Sequence, residues 1–268
     1  MIIVKEFPDR KFETKEELFT ALRENKADLI ATKKMQLKQT DSVFQVMPEV
    51  IKTDSTKAEE QTQENVNCLK AELVINTTNI MDSHSDVHLK GIWNKTVKEQ
   101  KNLYLLQEHK MTFDHIISDN VNAKVVDMKW SDLGFNYKGT TEALIFGATI
   151  DKGRNPFMFE QYSKGYVKEH SVGMRYTKLE LAINSENKYD KEEKEVWDKY
   201  FDQIVNKEQA EEQGYFWAVQ EAKVIEGSAV VKGSNHATPT ISVEAVKDTP
   251  TTEPTEVTQT IKRKLSVI

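Results

Sequence analysis

Cys68 is the only cysteine, so no intrachain disulfide can form and the fold must be held by its own core, which a chain of this length can build. Glycine and proline are sparse, ten and six in 268 residues, which excludes a collagen-like or Pro/Gly-rich low-complexity chain. Long apolar runs are missing, so a membrane-spanning helix is not expected. Neither sign of charge dominates: 37 Lys and Arg stand against 43 Asp and Glu, a formal net charge of −6. These charges are interspersed and form no basic stripe, so neither nucleic acid nor a membrane surface is an expected partner. No secretory leader pattern is read, and a reducing cytoplasm is the expected compartment.

What is there divides by composition. Thr14-Lys-Glu-Glu17 is a capping-box pattern, and Leu18, Leu22 and Leu29 follow at roughly helical spacing, so residues 1–40 read as an N-terminal helical segment. Residues 41–67 turn polar and read as a linker. β-like runs then follow at 69–76, 102–107, 124–130 and 142–150. Asn155-Pro156 is a helix start and Gly165 its stop. The next run, 166–176, is a strand with Tyr166, Val172, Met174 and Tyr176 on one face and Glu169, Ser171, Gly173 and Arg175 on the other. An amphipathic helical insertion is expected at about 185–213, where Val196, Trp197, Tyr200 and Phe201 recur at three and four residue spacings. Residues 215–231 read as one long strand or as two strands joined by a bend near Lys223, and 239–268, rich in Thr, Glu, Pro and Lys, as a disordered tail.

Four groups carry candidate chemistry. His109 closes the apolar run Tyr104-Leu-Leu-Gln-Glu-His109, where a neutral imidazole at a strand end can take a proton from a hydroxyl. Ser171 lies in Glu169-His-Ser171-Val-Gly173, and the glycine two positions on leaves room for a substrate backbone. Glutamate at 169 departs from the Gly-x-Ser-x-Gly elbow of α/β-hydrolases. Glu226 is one carboxylate in the run Val224-Ile-Glu-Gly-Ser-Ala-Val-Val231. Inside a strand it needs a histidine or arginine partner, and on an edge it needs none. His84, Asp86 and His88 alternate and on a strand would present two imidazoles and a carboxylate to a metal, although 81–86 also reads as a solvated turn. Cys68 has no basic neighbour in sequence to stabilise a thiolate.

Taken together, the order His109, Ser171, Glu226 resembles that of the tailed-phage prohead proteases, which are similar to herpesvirus assemblins. The leader Leu-Leu-Gln-Glu-His109, the sequence His170-Ser171-Val-Gly-Met174, and Ile225-Glu226-Gly-Ser-Ala-Val-Val231 followed by Gly-Ser-Asn235 carry the resemblance. In that family the segments read Leu-x-x-His, Ser-Ile-Gly-Phe and Glu-Val-Ser-Leu-Val with a downstream Pro-Ala-Asn. Asp82-Ser-His-Ser-Asp86 through Gly91-Ile-Trp93 also looks like the family's Asp-rich turn before a Gly-aromatic motif. Met174 departs from the usual aromatic, and the 55 positions from Ser171 to Glu226 (226 − 171) make a long gap, so Glu169 stays open as the acid.

The resemblance implies a mainly β fold with flanking helices, an assemblin-like closed or partly closed β-barrel at 68–238 that contains the helical insertion. It further implies a serine endopeptidase with Ser171 as nucleophile, His109 as base and Glu226 as third member, needing neither metal nor organic cofactor. Its substrates would be the major capsid protein and scaffold, and its own chain, inside the assembling prohead in the bacterial cytoplasm, where a homo-oligomer is a further expectation. Arg175 is a candidate helper for the oxyanion. The competing expectation is a scaffold or capsid-assembly protein that keeps the protease-like strands for binding alone.

Overall fold

The computed structural model describes residues 1–37, 66–99 and 102–246. The linker read at 41–67 lies outside these apart from residues 66 and 67, as does the tail beyond 246.

Thr14 caps α1 (Lys15–Glu24): its Oγ1 accepts from the Glu17 backbone N–H at 3.2 Å, and the Glu17 carboxylate accepts from the Glu13 N–H at 3.0 Å. This is the reciprocal arrangement that the sequence pattern encodes, displaced by one residue. Asn25 ends α1 and starts α2 (Lys26–Met35), so two short helices replace one. The strands and remaining helices follow as β1 (Cys68–Thr77), β2 (Asp86–His88), α3 (Asn94–Glu99), β3 (Leu105–Gln107), β4 (Ile116–Ser118), β5 (Val121–Lys129), β6 (Thr140–Asp151), α4 (Pro156–Ser163), β7 (Glu169–Ile183), α5 (Lys191–Tyr200), α6 (Lys207–Gln213), β8 (Tyr215–Val230) and β9 (Thr240–Val246). The protein is mainly β with flanking helices.

Two sheets result. The first is antiparallel, in the order β5-β6-β1-β9. In the second, the long strand β8 has β7 antiparallel along one edge. Its other edge is shared end to end by β2 and β3, both parallel to it, with β4 outside β3. The expected barrel closure is not formed among the described residues. The sheets meet instead at corners, through the isolated bridge Glu169–Pro239 and through the turn after β4, where the Ser118 hydroxyl donates to the Thr149 carbonyl at 2.6 Å.

The main core lies between the sheets. Leu69, Ala71, Leu73, Ile75, Leu144, Phe146 and Ala148 from the first meet Leu105, Ile117, Val172, Met174, Tyr176, Trp217 and Val219 from the second. Alternation of this kind is what two facing half-buried sheets require, and each large side chain so buried stabilises by roughly 1.5–3 kcal/mol. On its outer side β6 buries Ala143 and Ile145 under Trp130, Leu133 and Phe135. At one end the outer side of the second sheet is covered by the 185–213 region, where Trp197, Ile204 and Ala210 pack on Ala182, Phe216 and Ala218. That region is two α-helices rather than one, because Asn206 is turned inward to bond both backbone groups of Met81. Residues 240–246, read from composition as tail, form β9 and pair with β1 from Leu73 to Cys68.

Candidate active site

Beyond the helical cover, the outer face of the second sheet carries Ser171, Gly173, Glu226 and Ser228. The register pairs Ser171 with Ser228 and Gly173 with Glu226 across β7 and β8, and cross-strand partners point to the same side. Glu226 reaches this side only through a bulge. Val224 pairs with Met174 and faces the core, and the next register pair is Glu226 with Gly173, so β8 advances two residues where β7 advances one. Ile225 is the extra residue. Without it Glu226 would follow Val224 into the apolar interior, and the bulge re-aims the carboxylate outward.

The fully buried carboxylate of Glu226 has a donor on each oxygen. Oε1 lies 2.6 Å from His109 Nδ1, and Oε2 accepts from the Ser228 hydroxyl at 2.6 Å. Ser228 Oγ in turn accepts from the His109 backbone N–H at 3.1 Å, so imidazole and backbone of one residue are both held by β8. With Nδ1 donating to the carboxylate, Nε2 carries the lone pair that can accept a proton.

His109 follows β3 in a tight turn. Glu108 and His109 have φ of 51° and 57°, both left-handed although neither is glycine. Such residues persist when their surroundings hold them there, at a cost of order 1–3 kcal/mol each. The holding bonds here are Glu108 N–H to the Ala229 carbonyl at 2.9 Å, Lys110 N–H to the Gln107 carbonyl at 3.1 Å, and the two bonds from His109 to Ser228 and Glu226.

Gly173 makes room for the pair. A Cβ at this position would lie 1.9 Å from Glu226 Oε1, so the carboxylate that receives His109 occupies space only glycine leaves open.

The three sequence-read residues thus converge on one face: His109 and Glu226 by direct contact, Ser171 by register beside Ser228. The carboxylate in contact with His109 is that of Glu226, while the Glu169 carboxylate accepts from the Gly233 N–H at 3.0 Å. His170 points the other way and is buried between Tyr162 and Thr238: Nδ1 donates to the Thr238 carbonyl at 3.2 Å and Nε2 accepts from the Tyr162 hydroxyl at 3.0 Å. Burial lowers its pKa from the ordinary 6.5 to about 4 and keeps it neutral. Arg175 is exposed farther along the Ser171 face of β7. Cys68 opens β1 in the other sheet.

The alternating trio 84, 86 and 88 has another use. Among the described residues no group of His, Cys, Asp and Glu is arranged to hold a metal. Asp86 accepts from Lys33 at 2.6 Å and from the Tyr176 hydroxyl at 2.8 Å, while His88 bonds Asn76 and Tyr176, each at 3.1 Å. Burial alone would lower the Lys33 pKa, but the nearby Asp86 and Glu6 carboxylates overcome it and raise the value. This cluster ties α2 to β2 and β7.

Ser228 is the member of the site that the residue-by-residue reading passed over. It stands two positions after Glu226, hence on the same strand face, and coincides with the serine of the Glu-Val-Ser segment.

Comparison of the chain with protein-family models, with curated proteins and with solved structures gave no match in any of the three.

Proposed function

We propose that the protein is a serine endopeptidase, with Ser171 as nucleophile, His109 as general base and Glu226 as the residue that positions the imidazole. The observation that carries the reading is the His109–Glu226 contact, doubly braced by Ser228 and set two register pairs along from Ser171 on the same sheet face. A buried carboxylate on Nδ1 fixes the tautomer that leaves Nε2 basic and stabilises the imidazolium formed in the reaction. Nε2 takes the proton as Ser171 Oγ attacks a peptide carbonyl. The C–N bond then breaks, the imidazolium returns the proton to the departing amine, and water hydrolyses the acyl-enzyme in a second pass.

The substrate assignment rests on the motif resemblance: the major capsid protein, scaffold and the chain's own flanking segments, cut during phage head maturation in the bacterial cytoplasm. Within this proposal the two sheets joined at their corners are an opened version of the assemblin-like barrel. The alternative of a non-enzymatic assembly protein gives no reason for the braced imidazole or for the glycine under Glu226.

Co-expression with the capsid protein, comparing the native chain with Ser171→Ala by intact mass spectrometry, tests the reading. Trimming of capsid protein by the native chain and its loss in the variant are expected. Equal processing by both overturns it. Labelling by a fluorophosphonate that requires both Ser171 and His109 gives a second readout free of any choice of substrate.

A further inference from the structure

Along its second half β7 pairs with β8 on one edge, and no strand among the described residues pairs with the other. The direction of the backbone groups there follows from the end of the ladder. Asn184 N–H donates to the Gly214 carbonyl at 2.9 Å, and the pairs Leu181–Trp217 and Leu179–Val219 follow in unbroken register. Backbone groups alternate between the two edges of an antiparallel strand, so those of Leu179 and Leu181 face away from β8. The partner strand agrees. Trp217 N–H donates to the Ser85 carbonyl at 2.8 Å and the Val219 carbonyl accepts from Leu89 N–H at 3.0 Å, both on the edge remote from β7. Among the described residues no hydrogen bond takes up the two N–H and two C=O groups that Leu179 and Leu181 turn to the free edge.

These groups border a cavity of about 370 Å³, a volume within the range of ligand sites. Both leucine side chains belong to the main core, so what these residues offer the cavity is backbone. α2 forms one wall on the core side, with Ile30 partly buried against the main core, and α5 the other on the outer side, where Trp197 packs on Ala182. Ile30 and Val196 line the space from these two walls, and Lys26 ties the walls together, 2.5 Å from Glu193 and 3.2 Å from Glu192. With Glu180, Glu195 and Lys199 the lining carries four carboxylates against two amines. Glu195 is exposed and has no ion pair among the described residues.

We infer that this groove binds a short extended peptide, apolar at its centre and basic at its flanks, as a strand added to the free edge of β7. An unpaired edge is a template for such pairing. Main-chain hydrogen bonds supply the affinity of this mode and the walls its selectivity. Successive side chains of the added strand point to opposite sides, one toward Ile30 and the next toward Val196, and the surplus of carboxylates favours Lys or Arg beyond them. The groove is separate from the reacting serine: Leu179 stands eight residues along β7 from Ser171 (179 − 171), roughly 26 Å at about 3.3 Å per residue. Nothing in this depends on the protease reading, and the test involves no cleavage.

The peptide Lys-Lys-Val-Val-Val-Lys-Lys, blocked at both ends, is mixed with the full chain and followed by fluorescence polarisation and amide hydrogen exchange. Binding is expected, with exchange at the Leu179 and Leu181 amides slowed at least tenfold at saturation. The same peptide N-methylated at its three valines keeps its side chains and charge but loses backbone donors, and should bind at least tenfold more weakly. The peptide Glu-Glu-Val-Val-Val-Glu-Glu should also bind more weakly. Glu192→Lys combined with Glu195→Lys, both at exposed positions, should reduce the preference for the lysine peptide roughly tenfold. No binding at millimolar peptide, equal binding after N-methylation, or binding without protection of the two amides each overturns the added strand. A preference unchanged in the doubly substituted chain overturns the basic occupant. Protection of the same amides in the free protein that is lost on dilution assigns the edge to a second copy of the chain and likewise overturns the proposal.

Discussion

Gly173 and Glu226 share one volume: the hydrogen of the glycine sits where a methyl group would come within 1.9 Å of the carboxylate that receives His109. Gly173→Ala therefore displaces Glu226, and with it the imidazole. The expected result is a fold that survives with a loss of about 1–3 kcal/mol, as overpacking costs in general, and hydrolysis reduced at least a hundredfold. Thermal unfolding and cleavage rate measured together check this. A variant that is destabilised but cleaves at the native rate removes Glu226 from the mechanism.

Ser228 braces Glu226 and the His109 backbone at once. Ser228→Ala leaves one oxygen of a fully buried carboxylate without its donor, which costs roughly 1–3 kcal/mol of stability. It also loosens the turn whose two residues hold left-handed φ. A positioning role predicts that kcat falls about tenfold or more while KM moves little, and that the acid limb of the pH profile for kcat/KM shifts. A fall in stability with kinetics and pH profile unchanged confines Ser228 to structure.

Much of this was legible in the chain. Asn155-Pro156 and Gly165 bracket α4 because capping and left-handed closure are local chemistry, fixed within a few residues. Ser171 and Val172 fall on opposite faces of β7 as simple alternation requires. The facing of Glu226 was not legible, because it depends on the bulge at Ile225, a feature of pairing between strands some fifty residues apart. Composition misread residues 240–246 for a related reason: their partner is the edge of β1, and a half-exposed strand there alternates Thr240, Ser242 and Glu244 with Ile241, Val243 and Ala245, which an average over the polar tail hides. Asp86 and His88 looked like metal ligands because alternation places them on one face, and only the fold brings Lys33 to that face.

Lys33 and Asp86 form an ion pair with both side chains nearly sealed from solvent, at 2.6 Å, and Glu6 stands 3.6 Å from the same amine. Removing one member strands a buried charge, a loss of about 3–5 kcal/mol, whereas removing both with apolar groups of similar size is often neutral. Lys33→Met is expected to destabilise by that amount, and Lys33→Met combined with Asp86→Leu by clearly less. Denaturant unfolding of the two variants decides. Equal losses would mean that the Tyr176 and Glu6 contacts, not the pair, dominate the cluster.

His170 gives the fold a pH dependence separate from the reaction. Its folded-state pKa, about 4, lies below the ordinary 6.5 because the ring is fully buried between Tyr162 and Thr238. Between these values the unfolded chain binds a proton there that the folded chain does not, so stability rises with pH across this window and is lost as pH falls through it. At about 1.36 kcal/mol per unit the loss approaches roughly 3 kcal/mol near the lower end. His236, held below its ordinary value by burial and by Lys232, acts in the same direction, so the native curve alone does not isolate His170. His170→Asn retains a donor for the Thr238 carbonyl and cannot titrate. The difference between native and variant unfolding free energies should be flat above pH 7 and change by close to one proton's slope from pH 6.5 down to about 4. Parallel curves throughout that window would show that the ring is protonated in the folded protein, and hence that burial between Tyr162 and Thr238 does not hold it neutral.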